Sequence, residues 1–274
     1  MTPFGADSDA RTLGDRAAGA HAWPQHWTQG LARLTPARPA RLRLDRPALS
    51  ITFDGFTASA AEIGGRLLEA HGVRATYYAA AGCAGAQGPY GPYFEQRHML
   101  ALAQAGHEIG CAGFSHRSLV AMPVAEAAAE LDRNAATLAA LGVKAPIASL
   151  AYPHGALSPA LKLRLPPRIL SARSMAPGLN GAWTDLSAIA SYPLCAVESF
   201  APIAAALERA RVRRGWVVVH ALDVRDAPAP HAVTPATLDA LVNVAKRAGF
   251  EIAPVARIAA RIAMGARGAA LAWG

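Results

Sequence analysis

The chain has 274 residues, 53% of them hydrophobic and only 17% charged, a composition that supports one sizeable core and excludes a disordered chain. Its formal charge of +8 comes almost wholly from scattered arginines. Short groups such as Arg38/Arg41/Arg43 and Arg209/Arg211/Arg213/Arg214 do not make the basic stripe with interleaved aromatics that nucleic acid requires, so no nucleic-acid partner is expected.

Residues 1–46 are rich in Gly, Pro, Arg and Asp with little periodicity, and they read as an extension or loosely packed arm preceding a single domain over 47–274. Asp7, Asp9, Arg11, Asp15 and Arg16 stand where a signal peptide would carry its apolar core. From Pro47 short apolar runs alternate with amphipathic ones: strands are predicted at 48–54, 75–80, 107–113, 147–153, 169–175, 190–194, 216–224 and 250–255. Helices are predicted at 59–72, 96–106, 124–142, 201–213, 234–249 and 256–264. About seven strand–helix pairs argue for an α/β fold with a parallel sheet closed as a single barrel. The glycines at 82, 85 and 88 precede prolines and not a helix start, so they read as a mobile loop over the barrel mouth and not as a phosphate loop. No apolar stretch reaches 18 residues without a charge, so no membrane span is expected. Three cysteines (Cys83, Cys111, Cys195) without a CxxC pair fit a reducing, cytoplasmic setting.

In a parallel barrel the reactive groups gather where strands run out into loops. Asp54 ends the first strand, His116 follows the third, Tyr152 and His154 end the fourth, Arg173 ends the fifth, and His220 with Asp223 ends the penultimate one. A lone histidine in an apolar strand is usually a hydrogen-bonded core residue; recurrence at the same end of successive strands points to a site. Trp183 and Asp185, after a turn at 177–181, and His231 in a Pro-rich loop are further polar or aromatic groups that could reach it.

The strings SITFDGF, ATYYAAAG, GHEIGCAGFSHRSL, LAYPHG and VVVHALDV occur in the order and at the spacing of the motifs of NodB-type polysaccharide deacetylases, which the chain resembles over about residues 48–258. The resemblance implies a distorted (β/α)7 barrel and hydrolysis of a C–N amide bond in a carbohydrate. It makes Asp54 the general base and His220 the general acid, and Tyr152 supplies a backbone amide to the oxyanion. Pro153, His154, Arg173 and Asp223 are expected to contact substrate. Of the three metal-ligand positions only His116 is kept; Gly55 and Ala112 occupy the others, and Ala151 stands where many relatives carry an arginine that restrains the base. Glycine and alanine have no donor atom, and Cys111, adjacent in a strand, points to the opposite face from Ala112. No cofactor is therefore expected, and Zn²⁺ only if the site has been rebuilt.

Two readings follow. One is a hydrolase acting through Asp54, His116 and His220 with altered or absent metal. The other is an inactive homologue that binds a glycan or a partner protein in the old cleft.

Overall fold

A computed structural model describes residues 25–195, 199–227, 229 and 231–271. Its centre is a parallel sheet: β1 (Ala48–Asp54), β2 (Thr76–Ala79), β3 (Glu108–Cys111), β4 (Ser149–Ala151), β5 (Ser171–Arg173), β6 (Tyr192–Pro193), β7 (Trp216–Ala221) and β8 (Glu251–Ile252). The spatial order is β6-β7-β1-β2-β3-β4-β5, with β8 beside the foot of β1. β1 is buried along its whole length, as expected of a strand covered on both faces. It pairs with β7 from Trp216↔Ala48 to Ala221↔Phe53.

The two ends of this sheet are joined by one stretch of chain. Ala172 in β5 donates to Leu186 O at 2.7 Å and accepts from Ile189 N at 2.8 Å, and a few residues later β6 pairs with β7. The sheet thus curls into the distorted (β/α)7 barrel, with helices outside. These are α1 (Gln25–Leu34), α2 (Arg66–Ala70), α3 (Gln96–Gln104), α4 (Val124–Ala140), α5 (Pro159–Leu163), α6 (Ala201–Arg213), α7 (Pro235–Arg247) and α8 (Val255–Leu271).

Most expected elements stand within a few residues of their predicted places. The stretch expected as one helix over 59–72 is a π-helical turn, Ala60–Gly65, running into the short α2. A Cβ on Gly64 would lie 2.9 Å from Val224, so the glycine allows the backbone to approach the barrel. α1 and α5 were not anticipated.

The expected loose arm is corrected over residues 25–46; residues 1–24 lie outside the described residues. α1 packs beside α5, and Pro39–Arg41 pairs antiparallel with Trp183–Asp185. Lys162, 1% exposed, fixes the junction: its ammonium reaches Ala32 O at 2.6 Å, Thr35 O at 2.7 Å and Asp185 at 2.7 Å. A cation thus satisfies carbonyls at the C-terminal end of α1. Asp185 is consumed by this junction and is not at the cleft, and Trp183 is 71% exposed on its outside.

Candidate active site

Asp54 and Arg173, the last residues of β1 and β5, meet as an ion pair between Arg173 Nη2 and Asp54 Oδ2. The arginine side chain is wholly buried. Its Nη1 also donates to Ser174 O at 3.1 Å and to Ser191 Oγ at 3.0 Å, and Ser191 Oγ lies 2.8 Å from His220 Nδ1. Asp54, Arg173, Ser191 and His220 therefore form one polar chain across the barrel mouth. The restraint on Asp54 that Ala151 cannot give comes from Arg173, which is corrected from substrate contact to ion-pair partner of Asp54. Ser191 was missed, because a serine in a short apolar segment carries no signal until the barrel brings it to His220.

Burial pushes the Asp54 carboxyl upward, against the pull of the Arg173 guanidinium, and its Oδ1 is buried without a partner. His220 is 3% exposed. Burial, with Arg173 and His231 nearby, holds it well below the ordinary histidine range, so at neutral pH its ring carries no charge. A proton donor in the resting state is thus disfavoured, and a proton acceptor is favoured.

His116 follows β3 in a left-handed conformation, φ 56°. The preceding Ser115 donates both its amide, at 2.9 Å, and its hydroxyl, at 2.7 Å, to Glu130 on α4. The imidazole is folded over Gly55, itself at φ 46°, so that a Cβ at position 55 would lie 2.9 Å from both Cε1 and Nε2. His154, also left-handed, places its ring 5.1 Å from that of His116 and its Nε2 3.0 Å from His116 O.

Burial, with His154 as neighbour, lowers His116 to about 4. The unfolded chain therefore takes up a proton near pH 6.5 that the folded chain refuses until about pH 4, and stability is full above this window and lost as pH falls through it. Discounted for partial exposure, the expected loss between pH 6.5 and 5 is about 1–2 kcal/mol, read by urea unfolding. His116→Asn, which tolerates the left-handed backbone, should remove that share of the slope; an unchanged slope would place the titration elsewhere.

Two other expected contacts are corrected. The Tyr152 amide already donates to Arg173 O at 3.1 Å, and its hydroxyl donates to Ser187 O at 2.9 Å. Neither is free for an oxyanion, because the β4–β5 pairing continues one residue past the end of β4. Asp223, 1% exposed, accepts from Thr57 Oγ1 at 2.6 Å, from Ser59 Oγ, from Val224 N at 2.8 Å and from Arg225 Nε. It anchors the loop after β1 and does not face substrate. Arg225 then reaches Tyr90 O and ties down the 82–92 segment, which contributes Pro89 and Tyr90 to the cleft wall.

The cleft measures about 220 Å³. Asp54, Gly55, Ala112, His116, Pro153 and His154 line it together with Tyr90, Tyr93, Met175 and His231. His220 opens instead on a cavity of about 140 Å³ that shares Met175, Leu222 and His231 with the cleft. The two tyrosines were missed as lining residues, because only the fold brings their loop to the mouth.

The donor set does not fit a divalent ion. Ala112 has only a methyl group, the His116 ring fills the space above Gly55, and Asp54 is engaged by Arg173. Cys111 faces away, accepting from Gly113 N at 3.3 Å and Asn134 Nδ2 at 3.1 Å. Among the described residues no three His, Cys, Asp or Glu side chains are grouped to hold a metal.

Residues 42–165, from just before β1 through α5, match the sequence model of the polysaccharide deacetylase family. No curated protein matches the chain. Three solved structures share its fold at low identity. A CE4 family pseudoenzyme from Bacillus anthracis is 12% identical, with a TM-score of 0.54 over 82% of this chain and 69% of that one. The family 4 carbohydrate esterase PdaA of Bacillus subtilis is 15% identical, TM-score 0.53, over 84% and 87%. The Xyl-CE4 domain of a multidomain xylanase from the hindgut metagenome of Trinervitermes trinervoides is 14% identical, TM-score 0.52, over 78% and 90%.

Proposed function

We propose that this chain is a divergent polysaccharide deacetylase homologue whose cleft binds an N-acylated carbohydrate without hydrolysing it by a metal-dependent route. The observation that carries this reading is the His116 ring seated over Gly55. Where a ligand carboxylate would stand there is an uncharged imidazole, and Ala112 beside it offers no donor. A cleft of about 220 Å³ walled by Tyr90, Tyr93 and Met175 suits one sugar ring with a small acyl group, since aromatic faces stack on apolar sugar faces. Proteins of this fold include both an esterase and a pseudoenzyme. The three free cysteines are the ground for placing the protein in a reducing compartment.

A second reading, hydrolysis without metal, is favoured by one feature: the unpartnered Asp54 Oδ1. With Oδ2 held by Arg173, Oδ1 is free to take a proton from water as that water attacks an acyl carbon. Such base assistance contributes about 10²–10⁴-fold, which suits an activated acyl group better than an acetamide.

Titration of N-acetylglucosamine oligomers and their deacetylated forms, with acetate release followed with and without Zn²⁺, tests both. Saturable binding selective for the acetylated oligomer, with no Zn²⁺-stimulated acetate, is the expected result. Acetate release that needs Zn²⁺ would overturn it; slow release independent of metal and lost in Asp54→Asn would select the second reading.

A further inference from the structure

We propose that the foot of the barrel, the end away from the cleft, docks on a membrane surface carrying anionic lipids. Several stretches of chain meet there. Pro47 O accepts from Glu251 N at 2.9 Å and Gly215 O accepts from Ala48 N at 3.0 Å, so the residues leading into β1, β7 and β8 lie side by side. They bring Arg43, Arg46, Arg213 and Arg214, all exposed, to one end of the molecule. α8 starts beneath β2 and β3, where Val255 N donates to Thr76 Oγ1 and Ala256 N to Glu108 Oε2, each at 2.9 Å. Its Ile258, Ala259 and Ile262 are buried with Ala48 and Trp216, while Arg257, Arg261 and Met264, at i, i+4 and i+7, are exposed on the other face.

The charge of this end is not neutralised within the protein. Glu251 is shared by Arg261, at 2.7 Å, and Arg46, at 3.9 Å, and Asp45 is the other carboxylate on these stretches. Among the described residues Arg43, Arg213, Arg214 and Arg257 have no carboxylate partner. Compensation of the helix dipole accounts for Arg213 in the last turn of α6. It does not account for Arg257, which stands in the first turn of α8, where the dipole disfavours a cation.

Large apolar side chains project from the same stretches. Val212, next to Arg213, is 69% exposed, and Met264, one turn beyond Arg261, is 63% exposed. The exposed Trp183 belongs to this end as well. It pairs with Arg41, Ala182 O accepts from Leu42 N at 2.9 Å, and from there the chain rises through Leu186 and Ile189 alongside β5. An acidic soluble partner needs only the charges. Tryptophan and aliphatic side chains set among arginines suit a lipid headgroup layer, where the indole sits at the boundary and the cations face anionic headgroups. No helix of the described residues is long and apolar enough to cross a membrane, so the docking is peripheral. The cleft, at the opposite end of the strands, stays open when the foot is docked.

The test sediments the full chain with vesicles of phosphatidylcholine alone and of phosphatidylcholine mixed with phosphatidylglycerol, at low and high salt. Binding is expected to the anionic vesicles and should fall steeply as salt rises. Arg213→Glu/Arg214→Glu should weaken it at least about 25-fold, at about 5-fold for each arginine lost. Arg97→Glu/Arg117→Glu makes the same change in net charge at the cleft end and should weaken it far less. Brominated lipid should quench the tryptophan fluorescence, and Trp183→Phe should remove most of that quenching, since Trp216 is buried. Thermal unfolding of each variant separates loss of docking from loss of the fold. Equal binding to both vesicle types, no binding to either, equal losses in the two charge-reversed variants, or quenching unchanged in Trp183→Phe overturns the proposal. Capture by soluble heparin without vesicle binding overturns it too, and would assign the patch to a polyanion. Carbohydrate titration of Arg213→Glu/Arg214→Glu reads the cleft separately and should be unchanged, so this inference and the reading of the cleft can each fail alone.

Discussion

Arg173→Met is expected to destabilise the protein by about 3–5 kcal/mol in urea unfolding at neutral pH, the range for leaving one member of a buried pair uncompensated. Arg173 gives Asp54 its ion-pair partner and gives Ser191 a hydrogen bond, and no other side chain in the described residues replaces it at Asp54. Removing both charges with Asp54→Asn/Arg173→Met should recover most of the loss, because the cost lies mainly in the unpaired carboxylate. The pH dependence has a definite sign. Burial already raises the carboxyl, and without the guanidinium it rises further, so the folded variant binds its proton more tightly than the unfolded chain does. The deficit should therefore shrink as pH falls through the raised value and be largest above it. A loss below about 1 kcal/mol, or a double variant as unstable as the single, would show that the pair is solvated and not structural.

Gly55→Asp with Ala112→His is expected to create a Zn²⁺ site, with affinity at least about 100-fold above either single variant, since three donors replace two. Both positions line the cleft with His116. The obstacle is the end of the His116 side chain, 2.9 Å from a Cβ at 55, which can swing aside more readily than backbone could. Aspartate is among the residues that best accept the left-handed backbone of Gly55. His116 is neutral at working pH and needs no deprotonation to bind. Calorimetric titration at pH 7.5 reads the affinity. Equal affinities for the single and double variants would mean that the His116 ring cannot leave its seat, and that more than two side chains separate this cleft from a metal centre.

The altered donor set explains why these two sites respond so differently. With a divalent ion, Asp54 would sit beside two positive charges and need little else. Here one buried guanidinium carries that task, and it does so from the neighbouring region of the barrel rather than from the segment before Tyr152, where Ala151 stands. The Tyr152 amide, which the family resemblance would assign to an oxyanion, is closed into the β4–β5 ladder.

The local pattern of the chain was enough to fix the strand–helix alternation, the parallel barrel and the gathering of Asp54, His116, Tyr152, Arg173 and His220 at one end of it. Hydrophobic periodicity is set residue by residue, and in a parallel barrel every strand delivers its last residues to the same rim. The absence of donor atoms at Gly55 and Ala112 is equally a property of single residues, and it too was legible. Which atoms meet across the rim was not. Arg173 and Asp54 are 119 residues apart, Ser191 meets His220 only because residues 186–193 join the ends of the sheet, and Asp223 turns to Thr57 and Ser59 instead of the cleft. The amphipathic α1 joins the barrel through Ala32, buried in the main core, and through the buried Lys162 on a short helix. Each of these depends on the curl of the sheet and the closure of its two edges, which arise from the packing of the whole chain and have no counterpart in any local stretch of sequence.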